Sequence, residues 1–251
     1  MKLRELTDYL DTYLRVREVP DYGGALNGVQ VESGREEVRR IAVAVDAAQA
    51  VIDRAVASGA DLLIVHHGLF WEGNQAVTGR RYRRLKAIMD ADLCVYSAHI
   101  PLDLHPDVGN NAVLARELGV QARGTFGDYK GWPLGVWGEL DIRREALCAR
   151  LDETLGVRVK LVPGGPERVR RVGVVTGAAA SMMGEAVSMG LDAFVTGEAN
   201  HHTFFDAEEN GINLFLGGHY ATETWGVRAL AKHVQEKFGI AWEFIDYPTG
   251  L

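Results

Sequence analysis

The chain of 251 residues is long enough for one large or two modest domains, and its 47% hydrophobic and 24% charged residues give the balance of a soluble globular protein. A net charge of −7 excludes a nucleic-acid binder held by bulk charge, so any anion site must be local. No apolar stretch approaches the ~20 residues of a membrane span, and the start Met1-Lys2-Leu3-Arg4-Glu5-Leu6 has no signal-peptide core, so a cytoplasmic protein without membrane contact is expected.

Leu3, Leu6, Leu10 and Leu14 recur at helical spacing and predict a helix over 3–14. A loop with Pro20, Gly23 and Gly24 follows, then a short strand at 28–31. Ile41–Val45 reads as a strand, Ala47–Ala57 as a helix stopped by Gly59, and Asp61–Val65 as the next strand. Arg83–Met89 reads as a helix, Leu93–Tyr96 as a strand and Ala112–Leu118 as a helix ended by Gly119. The second half gives strand Leu134–Leu140, helix Arg143–Leu155, strand Val157–Val162 and a turn at Pro163-Gly164-Gly165-Pro166. It continues with strand Val172–Val175, helix Ala180–Met189, strands Ala193–Thr196 and Asn213–Leu216, helix Thr222–Phe238 and strand Ala241–Ile245. Alternating strands and helices predict an α/β fold with mainly parallel sheets. Cys94 and Cys148 lie in apolar-periodic segments without zinc or redox spacing, so buried free thiols are expected.

The halves resemble each other. With an offset of 131 residues, Arg39–His67 overlies Arg170–Glu198 without a gap, and nine of 29 positions are identical. They include Arg39-Arg40 over Arg170-Arg171, Ala47-Ala48 over Ala178-Ala179, and Gly59 and Asp61 over Gly190 and Asp192. More loosely, Leu93–Ser97 followed by His99 corresponds to Leu214–Gly217 followed by His219. Internal self-similarity of this kind is a fold signal. It predicts two similar α/β lobes from an internal duplication, over 1–124 and 125–251, with the C-terminal segment free to pack back on the first. A site is expected in the crevice between them.

Three predicted strands end in polar segments: His66-His67-Gly68, Ser97-Ala98-His99 running on to Asp103, and Gly217-Gly218-His219 running on to Glu223. Ligand groups collect at the carboxyl ends of strands in open α/β sheets. Adjacent His66 and His67 diverge at a turn and suit two ions better than one, whereas His219 and Glu223, four apart, share one helix face. Two or three imidazoles with two carboxylates and no thiolate point to Zn, Mn, Fe or Co. Five ligands exceed the three of a single catalytic zinc and fit two ions sharing a carboxylate. By simple summation, two divalent ions, Asp103, Glu223 and a hydroxide leave about one positive charge, which favours a small anionic substrate and hydrolysis.

Other residues read more plainly. His105 and His233 suit surface positions, while His201-His202, after Gly197-Glu198, is left open. Five of the seven residues Arg80–Lys86 are basic; a solvated helix face is the favoured reading, with phosphate or nucleic-acid contact through Arg83 and Arg84 as the alternative. Trp71, Trp132 and Trp137 are expected in packing rather than in a pocket wall.

The stretches Ala60–Trp71, His99–Asn111, Thr196-Gly197-Glu198, Gly218–Glu223 and Phe244-Ile245-Asp246 resemble the NIF-three-like dinuclear-metal proteins, which carry the label GTP cyclohydrolase I type 2. The resemblance spans nearly the full length and suits a compact bacterial member. It implies His66 and His67 as paired ligands, one per ion, Asp103 and His219 as further ligands, and Glu223 as the bridge. It also implies His99 and Glu198 as polar groups behind the ligands, and a toroidal homo-hexamer. Nothing in the sequence selects guanine or identifies a general acid or base. Two functions follow as expectations: a metal-dependent hydrolase of a small, nucleotide-type anion, or a non-enzymatic ring that binds a metabolite, protein or single-stranded nucleic acid, with structural metals.

Overall fold

The computed structural model describes residues 1–250. Its first half contains α1 (Leu3–Tyr13), β1 (Gly28–Val31), β2 (Arg40–Asp46), α2 (Gln49–Ala57), β3 (Leu62–His67), α3 (Gly79–Asp90), β4 (Cys94–Ser97), α4 (Ile100–Asp103) and α5 (Asn110–Glu117). There follow β5 (Gln121–Tyr129), β6 (Trp132–Arg143), α6 (Arg144–Leu155), β7 (Lys160–Pro163), β8 (Arg168–Val174), α7 (Met183–Ser188) and β9 (Ala193–Thr196). The last are α8 (Thr203–Glu209), β10 (Asn213–Leu216), α9 (His219–Phe238) and β11 (Ala241–Phe244). These elements build two units. The first holds Met1–Leu102 and Val227–Tyr247; the second holds Asp103–Gly226 and the segment from Pro248.

The first unit is organised by β3. Leu62–Val65 are fully buried, as an interior parallel strand covered on both faces requires. The sheet order is β1-β4-β3-β2-β11, with β1 alone antiparallel. Val51, Ile52 and Ala55 of α2 and Leu85 and Ile88 of α3 pack on Ala42, Ala44, Leu63 and Val65. On α1 the predicted stripe Leu3, Leu6 and Leu10 is buried, and Tyr13 stacks on His233 of α9 at 4.3 Å. The C-terminal strand β11 extends the sheet alongside β2.

The second unit has the order β5-β6-β8-β9-β10-β7, and of its neighbouring pairs only β8–β9 and β9–β10 are parallel. The expectation of a mainly parallel sheet is corrected here. Lys130 and Gly131, both at positive φ, form the tight two-residue connection that joins β5 to β6 as an antiparallel hairpin. α5 belongs to this unit because Leu114, Ala115 and Leu118 enter its core with Leu147, Val172 and Phe215. The unit boundary therefore falls after Leu102, earlier than the division at residue 124 read from the repeat.

The duplication is visible in each unit taken alone. Ile41, Ala42 and Val43 of β2 pair with Leu62, Leu63 and Ile64; Val172, Gly173 and Val174 of β8 pair with Ala193, Phe194 and Val195. Each second-unit partner lies 131 residues after its counterpart. The shared aspartate explains why this segment kept its sequence. Asp61 accepts the backbone N–H groups of Arg39 and Arg40 at 2.8 and 3.1 Å, and Asp192 accepts those of Arg170 and Arg171 at 2.8 and 2.9 Å. We expect Asp61→Ala to destabilise the fold by about 2–4 kcal/mol in urea unfolding, because two strand-entry donors lose a charged acceptor. The more exposed Asp192→Ala is expected to cost less.

Both cysteines are free. Cys94 is buried, which pushes its thiol up to about 12, whereas Cys148 is only half-buried, against expectation. No helix among the described residues is long and apolar enough to cross a membrane.

Candidate metal centre

β3 ends in two histidines. His66 is fully buried, and the His67 side chain is 19% exposed. Neighbours along a regular strand point to opposite faces. At this strand end the two ring centroids are nonetheless 4.7 Å apart, and His99, just beyond β4, lies 4.9 and 5.5 Å from them. One ring nitrogen from each of the three falls within 4.8 Å of the others, so the cluster could hold a metal ion.

Each ring is held through Nδ1. His66 Nδ1 lies 2.9 Å from the Ala98 carbonyl, His67 Nδ1 2.9 Å from Asp46 Oδ1, and His99 Nδ1 2.9 Å from Asp21 Oδ1. Acceptors on Nδ1 assign the proton there, so in the neutral rings the lone pair is on Nε2, the atom a metal ion takes. Asp46 closes β2 directly opposite His67 in the sheet register. Asp21 also accepts the side-chain amide of Asn27 and the backbone N–H of Ile100. Burial alone would raise its carboxyl, but the His99 contact, the Asn27 amide and the Tyr22 N–H outweigh burial and hold it below the usual carboxylate range.

The second unit presents acidic donors. Gly218, at φ +86, turns the chain off β10 so that His219 is the first residue of α9. His219 Nε2 lies 3.1 Å from Glu223 Oε2 one turn later, and its Nδ1 lies 2.9 Å from Glu198 Oε1. The bond to Glu223, offset in part by burial, raises His219 to about 9, with Glu198 adding to the rise. Glu223 is 3% exposed, and the space it occupies exists because residue 177 is glycine. A Cβ built on Gly177, which sits at φ +68, would fall inside the contact radius of Glu223 Oε1. The Gly177 N–H is bonded to Thr222 Oγ1, which pins this backbone to α9. Asp103, at the end of α4, is 7% exposed, and its Oδ1 accepts the Asn110 amide at 2.8 Å. Asn110 in turn accepts the Gly226 N–H of α9 at 2.6 Å.

The donor chemistry fits divalent transition ions: imidazoles of fixed tautomer in one unit, an imidazole with two carboxylates in the other, and no thiolate. A metal at His219 Nε2 must displace a proton. Loading at pH 7 is therefore expected to release roughly one proton per chain from His219, and metal affinity is expected to fall as the pH drops. Calorimetric titration of a divalent ion in buffers of different ionisation enthalpy measures this directly.

The remaining candidates are dispersed. His201 and His202 are exposed in the turn before α8. His105 Nδ1 faces the N–H groups of Asp107 and Val108, as in a turn cap, and His233 bonds Tyr9 Oη at 2.6 Å. Arg84 lines a cavity, whereas Arg83 is exposed outside it. Trp71 is no core residue: it is 37% exposed and meets His67 and His99 edge to face. Sequence reasoning missed Asp21, Asp46, Asn110 and Gly177. The repeat could have exposed one pair, since Asp46 and Gly177 are counterparts at the 131-residue offset.

The family pattern Duf34/NIF3 (NGG1p interacting factor 3) matches residues 1–249. The chain belongs to this family. A DUF34/NIF3 relative from Deinococcus radiodurans, named GTP cyclohydrolase 1 type 2 homolog, is 45% identical over 98% of this chain and 94% of its own length. Among solved structures, TTHA1606 from Thermus thermophilus matches with a TM-score of 0.91 at 39% identity, covering all of both chains. The structural-genomics protein ybgI, described as of unknown function, matches with a TM-score of 0.93 at 38% identity, again over both full chains. The two-lobed α/β fold is thus the DUF34/NIF3 fold.

Proposed function

We propose that His66, His67, Asp103, His219 and Glu223 together hold two divalent ions of the Zn, Mn, Fe or Co kind. At that centre the protein hydrolyses a small anionic substrate. The observation that carries this reading is the gathering of three imidazoles within 4.8 Å, each anchored through Nδ1 by a carboxylate or a carbonyl. A core histidine needs one hydrogen-bond partner; His66 and His67 with their Nε2 atoms preset form the arrangement metal ligands use, and His99 beside them is left to act on a proton. When bound, the ions would supply Lewis acidity and acidify water toward neutral pH.

The chain's own residues do the rest. Asp46 and the Ala98 carbonyl orient His67 and His66, and Asn110 holds Asp103. Glu198 and His99 are the groups proposed to hold or move a proton. A nucleoside triphosphate is the first substrate to assay, because relatives carry a GTP cyclohydrolase name. The homo-hexamer belongs to the same reading, and light scattering should give six times the chain mass.

The deciding test joins metal analysis to turnover. Wild type should retain about two ions per chain and His67→Ala at most one, with hydrolysis lost across nucleotide, phosphoester and amide panels. Full metal retention in His67→Ala, or no turnover by metal-loaded wild type on any panel, would sink the proposal.

A further inference from the structure

The loop after β3 and one side of α3 enclose a cavity of about 130 Å³ that the metal donors do not use. Its walls are residues 68–72 with Arg80, Arg81, Arg84 and Leu85. Gln30 sets the loop: its Oε1 accepts the Leu69 N–H at 2.7 Å, and its amide donates to the Ala25 carbonyl at 2.8 Å. The basic run is therefore divided, with three of its arginines turned to one cavity and Arg83 left in solvent.

The charge in the cavity is not balanced. Three guanidiniums meet one wall carboxylate, Glu72, which pairs with Arg80. Arg81 is fixed by a bond to the Gly73 carbonyl at 3.1 Å and by the Phe70 ring at 5.1 Å. The Nε atoms of Arg81 and Arg84 are buried with no hydrogen-bond partner among the described residues. Burial, and then repulsion from Arg80, holds the Arg84 guanidinium below its ordinary range, against weaker pulls from Glu72 and Asp46. A buried guanidinium donor without an acceptor is costly, and the planar fork is suited to phosphate oxygens. The positive end of α3 adds to the same potential.

We propose that this cavity is an anion subsite for the phosphate group of a phosphorylated small molecule. The surplus of two positive charges in its walls matches a phosphate monoester dianion. Trp71 is a wall of the cavity and also touches His67 and His99, so a phosphate held there leaves the rest of the molecule beside the imidazoles. That the bound molecule is the substrate rests on the hydrolase reading above; the phosphate site itself does not. A continuous nucleic-acid strand fits less well, because the exposed Arg83 lies outside the cavity.

The test is calorimetric titration of the full-length protein, as purified, with a nucleoside 5′-monophosphate, inorganic phosphate and the matching nucleoside. The two phosphates should bind and the nucleoside should not. Arg84→Gln should weaken both phosphates by about 10-fold or more, with unchanged metal content and melting temperature, and Arg84→Lys should fall between. His67→Ala should lose metal yet keep arginine-dependent phosphate binding, which separates this proposal from the metal reading. Should Arg84→Gln fail to fold, Arg81→Gln serves in its place with the same expected loss. Three results overturn the subsite: no saturable phosphate binding by wild type, unchanged affinity in the folded arginine variants, or phosphate binding abolished by His67→Ala alone. Binding of a single-stranded oligonucleotide that depends on Arg83, with the monophosphate ignored, would overturn it in favour of nucleic acid.

Discussion

Gly177→Ala is expected to lower metal affinity by about 10–100-fold while leaving the protein folded, the size of effect seen when groups supporting a ligand are disturbed. A single methyl group suffices because it would overlap the Glu223 carboxylate, which is 3% exposed and has little room to retreat. The substitution also places a side chain at φ +68, which costs about 1–2 kcal/mol by itself. Two controls separate these effects. Gly211 has φ +70 with open space around it, so Gly211→Ala carries the backbone cost alone. Gly184 has open space and no positive φ, so Gly184→Ala should be close to neutral. Metal content and urea midpoints of the three variants measure the result. Equal metal retention in Gly177→Ala and Gly211→Ala would refute the steric account.

Glu223→Gln should change the pH dependence of metal-free stability as well as metal binding. In the metal-free protein the bond to Glu223, with a smaller share from Glu198, raises His219 from 6.5 to about 9. A group whose folded value is raised adds stability that is fully present below its unfolded value, and that stability is lost as the pH rises through the folded value. The His219 contribution is therefore complete below about pH 6.5 and gone above about pH 9. Its side chain is 30% exposed, so solvent screening reduces the gain to roughly 1–2 kcal/mol. Metal-free Glu223→Gln should thus be less stable than wild type in urea at pH 6, and the difference should vanish near pH 10. In metal-loaded preparations the same variant should retain fewer ions than wild type, at most one against the two of the proposed centre. A stability gap that does not change with pH would mean that Glu223 acts through packing and not through its charge on His219.

The legible parts of this chain are those written in local periodicity. The run Asp61–Val65 announces a buried strand by its apolar continuity, and the position of His66 and His67 at its end follows from that. The 131-residue repeat reaches further, because the aspartate clamp on the strand entry needs its glycine, its aspartate and its spacing at once. β5 was not legible. Its first five residues are exposed, so it carries no alternation, and it exists because the Lys130-Gly131 turn folds it onto β6. Helix α3 starts at Gly79, earlier than the expected Arg83, since charged residues with no apolar face signal no helix start. Around the candidate donors, Asp21 and Asp46 were silent because each acts through a partner distant in sequence: Asp21 is 78 residues from His99 and Asp46 is 21 from His67. Spacing rules read neighbours along the chain, and these pairings arise only when strands and helices pack.

The corner shared by Asp46 and Gly177 makes the two halves chemically unequal. The two positions are counterparts at the 131-residue offset, yet in the first half the residue steadies His67 and in the second it has no side chain at all. An aspartate at position 177 would occupy the volume that the Glu223 carboxylate now fills. In the second half, the glycine at this corner and the buried acidic residue on α9 therefore depend on each other. Related sequences should therefore pair glutamate at the Glu223 position with glycine at position 177, and should not pair it with aspartate. The asymmetry thus ties each corner to its own half: a carboxylate steadies His67 in one, and the lack of a side chain makes room for Glu223 in the other.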